Sequence, residues 1–252
     1  MIAKLSVMVL GLMAAVPAAG QSGGQPDPKE TEVWAPEPKR VTPGAKARPS
    51  DAIVLFDGSD LGEWRAGGAL EKSAGWTVAD GVLTVRGGSG DIQTRRSFTD
   101  YQLHLEWRAP AVSTGSGQGR GNSGVFLAST GNGAGYEIQI LDCDDNKTYV
   151  NGQAASVYKQ RAPLVNACAA PGAWQTYDVI WTAPRFAADG SLASPARVTV
   201  LHNGVLVQNN VALDGETVYA GKPSYRAHGA LPIRLQDHGD AVNFRNIWVR
   251  PL

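Results

Sequence analysis

Glu137 and Gln139 lie two residues apart in Gly135-Tyr136-Glu137-Ile138-Gln139-Ile140-Leu141-Asp142, alternating with apolar Tyr136, Ile138 and Ile140. In a strand, this period of two sends the apolar set into a core and the acid and amide onto the opposite face. A carboxyl and a carboxamide side by side on a rigid strand are suited to holding a polyhydroxylated ligand and moving its protons. The alternation recurs in Tyr101-Gln102-Leu103-His104-Leu105-Glu106-Trp107-Arg108, and again where Ile233 and Leu235 interleave with Arg234, Gln236 and His238. Three such strands in one sheet would make a polar concave floor, although an ordinary sheet with one wet face gives the same pattern.

Strands of this kind need a sheet protein around them, and the composition agrees. A chain of 252 residues, 43% hydrophobic and 18% charged, can bury one large core, so a single folded domain is expected. Lys plus Arg equal Asp plus Glu at 23 each, which leaves no overall field to favour nucleic acid or an anionic membrane. The 30 glycines and 15 prolines favour many turns, and sustained helical periodicity is confined to the amino terminus. There, Lys4, the apolar run Leu5 to Val16 and the small residues Pro17 to Gly20 have the layout of an export signal cleaved near Gly20. The run is shorter than the roughly 20 residues of a membrane span, so a periplasmic or secreted protein without a membrane span is expected, with a membrane anchor as the alternative. Cys143 and Cys168 are the only cysteines, and an even pair in an exported chain suggests a disulfide, two free buried thiols being the alternative.

Residues 21–50 carry six prolines among small and charged residues and should form an extended, poorly packed lead-in. The folded domain is expected over 51–252. Within it, Asp57-Gly58, Asp80-Gly81, Asn203-Gly204 and Asp214-Gly215 punctuate short apolar alternations as hairpins and tight turns. Strands are expected over 53–56, 76–79, 82–85, 91–94, 101–108, 123–127, 136–141, 176–182, 196–202, 205–209, 233–237 and 242–249. With no βα alternation, these must pair as antiparallel sheets packed face to face, an all-β sandwich or jelly roll. The glycine-rich run Thr114 to Gly121 reads as a mobile connection rather than a phosphate loop, because no helix pattern follows it.

With these segments placed, an ordered series of motifs becomes apparent. It runs through Leu55-Phe56-Asp57-Gly58 with Leu61 and Trp64, Gly75-Trp76, Asp80-Gly81, Phe98-Thr99-Asp100-Tyr101 and Leu105-Glu106-Trp107-Arg108. It continues with Asn122-Ser123-Gly124-Val125-Phe126-Leu127, Gly135 to Asp142, Trp174-Gln175-Thr176-Tyr177, His202-Asn203-Gly204-Val205, Leu235-Gln236-Asp237-His238-Gly239 and Val242 to Ile247. In this series the chain resembles the secreted bacterial family of 3-keto-disaccharide hydrolases, also described as 3-keto-glucoside 1,2-lyase/3-keto-2-hydroxy-glucal hydratase domains. The resemblance covers essentially Asp51 to Leu252. It implies a concanavalin A-like/laminin-G-like jelly roll, and as substrate a glycoside or disaccharide oxidised at C3, in which the ketone acidifies the C2 hydrogen. The same sandwich serves non-catalytic carbohydrate-binding modules, so fold alone does not establish catalysis.

Elimination from such a sugar needs a proton acceptor near C2, a donor for the leaving oxygen and polar groups at the ketone. Glu137 is the candidate base or acid, since burial raises a carboxyl pKa toward neutrality; a structural ion pair with Arg108 or Arg245 is the alternative. His238 is its candidate partner, with Gly239 allowing close approach, or else it caps a turn. Glu106 and Arg108, on one strand face, could serve as acid and oxyanion-stabilising cation or could neutralise each other. Asn122, Gln139, Asp142 and Gln236 suit hydroxyl recognition, and Trp64, Tyr158 or Trp174 could stack on a sugar ring or pack in the core. His104 and His202 lie on alternating strands without a matched neighbour, and His228 lies in a loop. No cofactor motif is found; Asp142, Asp144, Asp145 and Asn146 form an oxygen-rich cluster that could hold calcium, or simply solvated acids. A conventional glycosidase would need two carboxyls about 5 to 9 Å apart, for which Glu106 and Glu137 are the available pair.

Overall fold

The computed structural model describes residues 27–44, 48–68 and 71–252. The expected export signal lies outside the described residues. The chain divides into two compact units, one ending at Arg40 and one spanning Val41–Leu252. In the first, a 3-10 turn at Pro28–Thr31 is opened by Asp27, whose carboxylate accepts the Lys29 N–H at 3.1 Å.

The second unit is built of fifteen strands: β1 Ile53–Phe56, β2 Trp64–Ala66, β3 Thr77–Ala79, β4 Val82–Thr84, β5 Ile92–Thr94, β6 Tyr101–Arg108, β7 Ser123–Gly131, β8 Ala134–Ile140, β9 Gln175–Thr182, β10 Arg185–Phe186, β11 Leu192–Ser194, β12 Arg197–His202, β13 Val205–Ala212, β14 Arg234–Leu235 and β15 Asn243–Pro251. Every expected strand is present, with ends shifted by a few residues; β2, β10 and β11 are two or three residues long and carry too little alternation to announce themselves. Eight strands form one antiparallel sheet in the order β13-β12-β9-β6-β15-β4-β3 with β1 on β15, and five form a second in the order β2-β5-β14-β7-β8. Asp80-Gly81 and Asn203-Gly204 close two-residue hairpins with φ of 51° and 74°, and of 52° and 77°, the doubly left-handed geometry that matches strand twist.

The two sheets face each other as a jelly-roll sandwich. Tyr101, Leu103, Leu105 and Trp107 of β6 and Tyr136, Ile138 and Ile140 of β8 are all fully buried, as the period of two requires. Tyr136 and Trp181 pack across the gap with ring centres 5.3 Å apart, and the Tyr177 hydroxyl of β9 donates to the Gln139 carbonyl at 2.8 Å. Cys143 and Cys168 form a disulfide with Cα atoms 6.0 Å apart. Among the described residues no helix is long and apolar enough to cross a membrane.

The idea of three polar strands in one sheet is corrected: β8 and β14 share the five-stranded sheet, but β6 lies in the eight-stranded one, between β9 and β15. Alternation tells which side chains share a face of a strand, and says nothing about which sheet takes that strand.

Candidate functional site

Register alone assembles the floor of the site. Across the five-stranded sheet, Arg65 pairs with Gln93, Gln93 with Arg234, Arg234 with Phe126 and Phe126 with Glu137, so these five side chains stand in one row on one face. Their neighbours Ile92, Leu235, Val125 and Ile138 point the other way into the core. Along the next row, Gly124 pairs with Gln139, and Gln236 N–H donates to the Gly124 carbonyl at 3.0 Å. A Cβ on Gly124 would lie 2.6 Å from Glu137 Oε1 and 3.3 Å from Gln236 Oε1, so the missing methyl is what gives the carboxyl its place.

The outer edge of β8 is covered, which buries Glu137 further. Tyr158 N–H donates to the Glu137 carbonyl at 3.2 Å and Ser156 accepts from Gln139 N–H at 3.0 Å, while Glu137 N–H donates to Thr217 Oγ1 at 3.1 Å. Glu137 is 5% exposed, and among the described residues its carboxyl has no hydrogen-bond or ion-pair partner. Burial therefore pushes its pKa from 4.5 up to about 8, with Arg234 opposing and Asp91 reinforcing the rise. Arg234 cannot neutralise it directly because the Phe126 ring stands between them, with the guanidinium 3.6 Å from the ring centre. That guanidinium instead pairs with Asp91 and donates to the Gly133 carbonyl at 2.7 Å.

Glu137, His238, Asn122, Gln139, Gln236 and Tyr158 all line one cavity of about 190 Å3. Gln139 Nε2 donates to Asn122 Oδ1 at 2.9 Å, and Asn122 Nδ2 to the Gln118 carbonyl at 2.7 Å, so these amides are held in place. Gln236 has its side-chain amide unengaged among the described residues, and His238 is exposed at the rim. Tyr158 and Tyr149 share a hydroxyl hydrogen bond of 2.6 Å.

Five expected site residues lie elsewhere. Glu106 is on the eight-stranded sheet, where Arg245 and Asn246 donate to it at 2.5 and 2.8 Å. Burial raises its pKa, but the hydrogen bonds from Asn246 and Arg245 together with the Arg245 charge outweigh it and leave the carboxyl below its ordinary value. Arg108 donates to Asn243 Oδ1 at 2.8 Å, and its guanidinium and that of Arg245 flank the Trp174 ring at 4.6 and 4.0 Å, so neither cation is near Glu137 and Trp174 stacks on guanidinium. Trp64 is fully buried with its indole N–H donating to the Leu55 carbonyl at 2.7 Å, a core role for a large apolar ring. Asp142 is 2% exposed and accepts from Arg120 Nε at 2.8 Å.

The Arg120 guanidinium also reaches the Asp144 and Asp145 carbonyls, so a cation of the protein itself fills the oxygen-rich cluster where calcium was one expectation. Among the described residues no group of three His, Cys, Asp or Glu side chains is placed to hold a metal ion. The remaining histidines are engaged: His104 Nδ1 lies 2.7 Å from Asp178, His228 Nε2 lies 2.9 Å from the Tyr136 hydroxyl, and buried His202, its pKa lowered to about 4 by burial, lies 2.8 Å from Gln175.

Sequence reasoning missed Gln118, Phe126, Gly133, Thr217 and Tyr219, which also line the cavity. Gln118 comes from the glycine-rich run, which is tied down where Asn146 Oδ1 accepts the Gly117 N–H at 2.7 Å. A signal for Gly133 was available: Asn132-Gly133, with φ of 49° and 79°, is the two-residue turn that joins β7 to β8. For Thr217 and Tyr219, in an irregular loop, the sequence carries none.

The model of a family described as a 3-keto-alpha-glucoside-1,2-lyase-like domain matches residues 51–250. The chain is similar to a 3-keto-disaccharide hydrolase of Bacteroides thetaiotaomicron, 28% identical over 236 residues that cover 79% of this chain and 78% of that protein. Among solved structures, a protein of Parabacteroides distasonis described as a candidate glycosyl hydrolase is 47% identical, with a TM-score of 0.83 over 90% of this chain and 97% of that one. Another from the same organism, 20% identical with a TM-score of 0.58 over 80% and 94%, shares the fold.

Proposed function

Because the chain belongs to the 3-keto-alpha-glucoside-1,2-lyase-like family, we propose that it cleaves glycosides already oxidised at C3, acting outside the cytoplasm where its Cys143–Cys168 disulfide persists. The observation that carries this reading is the Glu137 carboxyl: buried, without a hydrogen-bond or ion-pair partner among the described residues, and with its pKa raised to about 8 on the floor of a polar cavity. Such a group is protonated at neutral pH and gives up its proton readily, the property a general acid needs. His238 at the rim takes the C2 proton, the enediolate collapses, and the C1–O bond breaks as Glu137 protonates the departing oxygen. The freed alcohol leaves behind a 2-hydroxy-3-keto-glucal. Glu137, now a carboxylate, takes a proton from the water that adds to C1, and His238 returns its proton to C2. Net hydrolysis results, with both residues restored. The unengaged Gln236 amide is available to the ketone oxygen as charge develops there.

Purified protein is assayed with matched glucosides, oxidised and unoxidised at C3, in deuterated solvent. Turnover of the keto sugar alone, with deuterium entering C2, is expected, and Glu137→Gln abolishes it. Turnover of the plain glucoside identifies a conventional glycosidase, and binding without turnover a carbohydrate-binding module; either result overturns the proposal.

A further inference from the structure

Three side-chain amides meet on the wall of the Glu137 cavity, those of Gln118, Asn122 and Gln139, and each is fixed by a backbone carbonyl that can only accept. Asn122 Nδ2 donates to the Gln118 carbonyl at 2.7 Å, Gln118 Nε2 to the Gly152 carbonyl at 2.8 Å and Gln139 Nε2 to the Ile140 carbonyl at 3.2 Å. Turning over any of the three would set oxygen against oxygen. With Asn122 and Gln118 held in this way, Asn122 Oδ1 and Gln118 Oε1 both face Gln139 Nε2, at 2.9 and 3.4 Å. The hydrogens of that nitrogen are therefore spent inside the protein.

Gln139 Oε1 is left over. Gln139 is 1% exposed, and among the described residues nothing donates to this oxygen. Unlike Gln153 Oε1, it is not sealed from solvent without a partner, so it opens on the cavity that Gln139 lines. The wall here offers an acceptor and no donor. A ligand group with a hydrogen to give is held, whereas a ketone, an ether or a fluorine can only accept and meets a like dipole. Two residues along β8 set the Glu137 and Gln139 Cα atoms about 6.7 Å apart, with both side chains on one face. With Glu137 at the C1 oxygen, as in the reading given above on which this inference rests, Gln139 stands at the far side of the ring. The C2 hydroxyl is too near C1 to reach it, the C3 ketone has no hydrogen to give, and the C6 hydroxyl swings on a free bond. The C4 hydroxyl stands rigidly across the ring from C1.

We propose that Gln139 Oε1 accepts the hydrogen of the C4 hydroxyl of the 3-keto ring, and so fixes which way round the ring lies. The test compares kcat/KM for a 3-keto-glucoside with its 4-deoxy, 4-deoxy-4-fluoro and 6-deoxy-6-fluoro forms. Each value is divided by that sugar's uncatalysed rate of elimination in base, so that the effect of fluorine on the ketone cancels. In the wild type the two sugars altered at C4 lose about tenfold, the worth of one hydrogen bond, and fluorine does no better than hydrogen. In Gln139→Met, of similar volume and checked for fold by circular dichroism, the penalty at C4 disappears and the response at C6 is unchanged. A 4-fluoro sugar turned over as well as the parent by the wild type overturns the contact without need of any variant, since it shows that C4 meets no acceptor. A C4 penalty that persists in the folded variant overturns it too, as does a variant that alters the response at C6 instead. In each of these cases turnover of the parent sugar leaves the chemistry at Glu137 intact. A wild type that turns over none of the sugars overturns the reading of the Glu137 cavity, and this contact with it.

Discussion

Replacing Glu137 by Gln should make the protein more stable, and more so as pH rises. In the native state the carboxyl holds its proton up to about pH 8, whereas in the unfolded chain it releases it near its ordinary 4.5. A group whose pKa is raised on folding contributes fully below the lower value and loses that contribution as pH climbs through the upper one. Each tenfold difference in proton affinity is worth about 1.4 kcal/mol, so the wild type forgoes nothing near pH 4, roughly 3 kcal/mol at pH 7 and roughly 5 kcal/mol above pH 8. The charges facing Glu137 are Arg234, behind the Phe126 ring, and Asp91, with His238 at the cavity mouth; the glutamine leaves them all in place. Urea unfolding of both proteins at pH 4.5, 7 and 9, with the disulfide intact, measures the gap. A stability difference that stays constant across that range would show that Glu137 is solvated or partnered in solution, and the assignment of an acid near neutrality would fall with it.

Turnover of the keto sugar declines as pH passes about 8, where Glu137 gives up its proton; a kcat that stays level to pH 10 refutes its role as the acid. In Gly124→Ala the new methyl, 2.6 Å from Glu137 Oε1, turns the carboxyl away, and kcat falls about a hundredfold while circular dichroism is unchanged. Wild-type kcat in that variant would show that the carboxyl need not stand where it does. Glu106→Gln, on the far sheet, leaves kcat alone but removes a hydrogen-bonded partner of Arg245 and costs about 1 to 3 kcal/mol; since the Glu106 pKa is lowered in the fold, that cost is largest above its ordinary range and fades on acidification. Serine at both Cys143 and Cys168 frees a link across 25 residues and lowers stability by about 3 kcal/mol, read from urea midpoints.

The strands were most legible where they alternate, as Gln175–Thr182 and Tyr101–Arg108 do, and the latter has the same ends in sequence and structure. What alternation could not supply was the pairing between sheets. Glu106 and Glu137 look equivalent along the chain, an acid between two buried apolar residues, but one stands in the row of Arg245 and Asn246 and the other in the row of Phe126. Their pKa values move in opposite directions for that reason. Trp64 and Trp174 were ambiguous because an indole serves a core, a guanidinium or a sugar equally well, and only the surroundings decide. Gln118, Thr217 and Tyr219 come from irregular segments, where no periodicity records direction.

The two-residue Asn132-Gly133 turn and the irregular pairing just before it set the register in which Phe126 meets Glu137. A slip of that register by one position would rotate Glu137 from the cavity into the core. A change in the sugar accepted is therefore easier to reach through the side chains of the cavity floor and through the irregular segments at the rim around Gln118 and Tyr219.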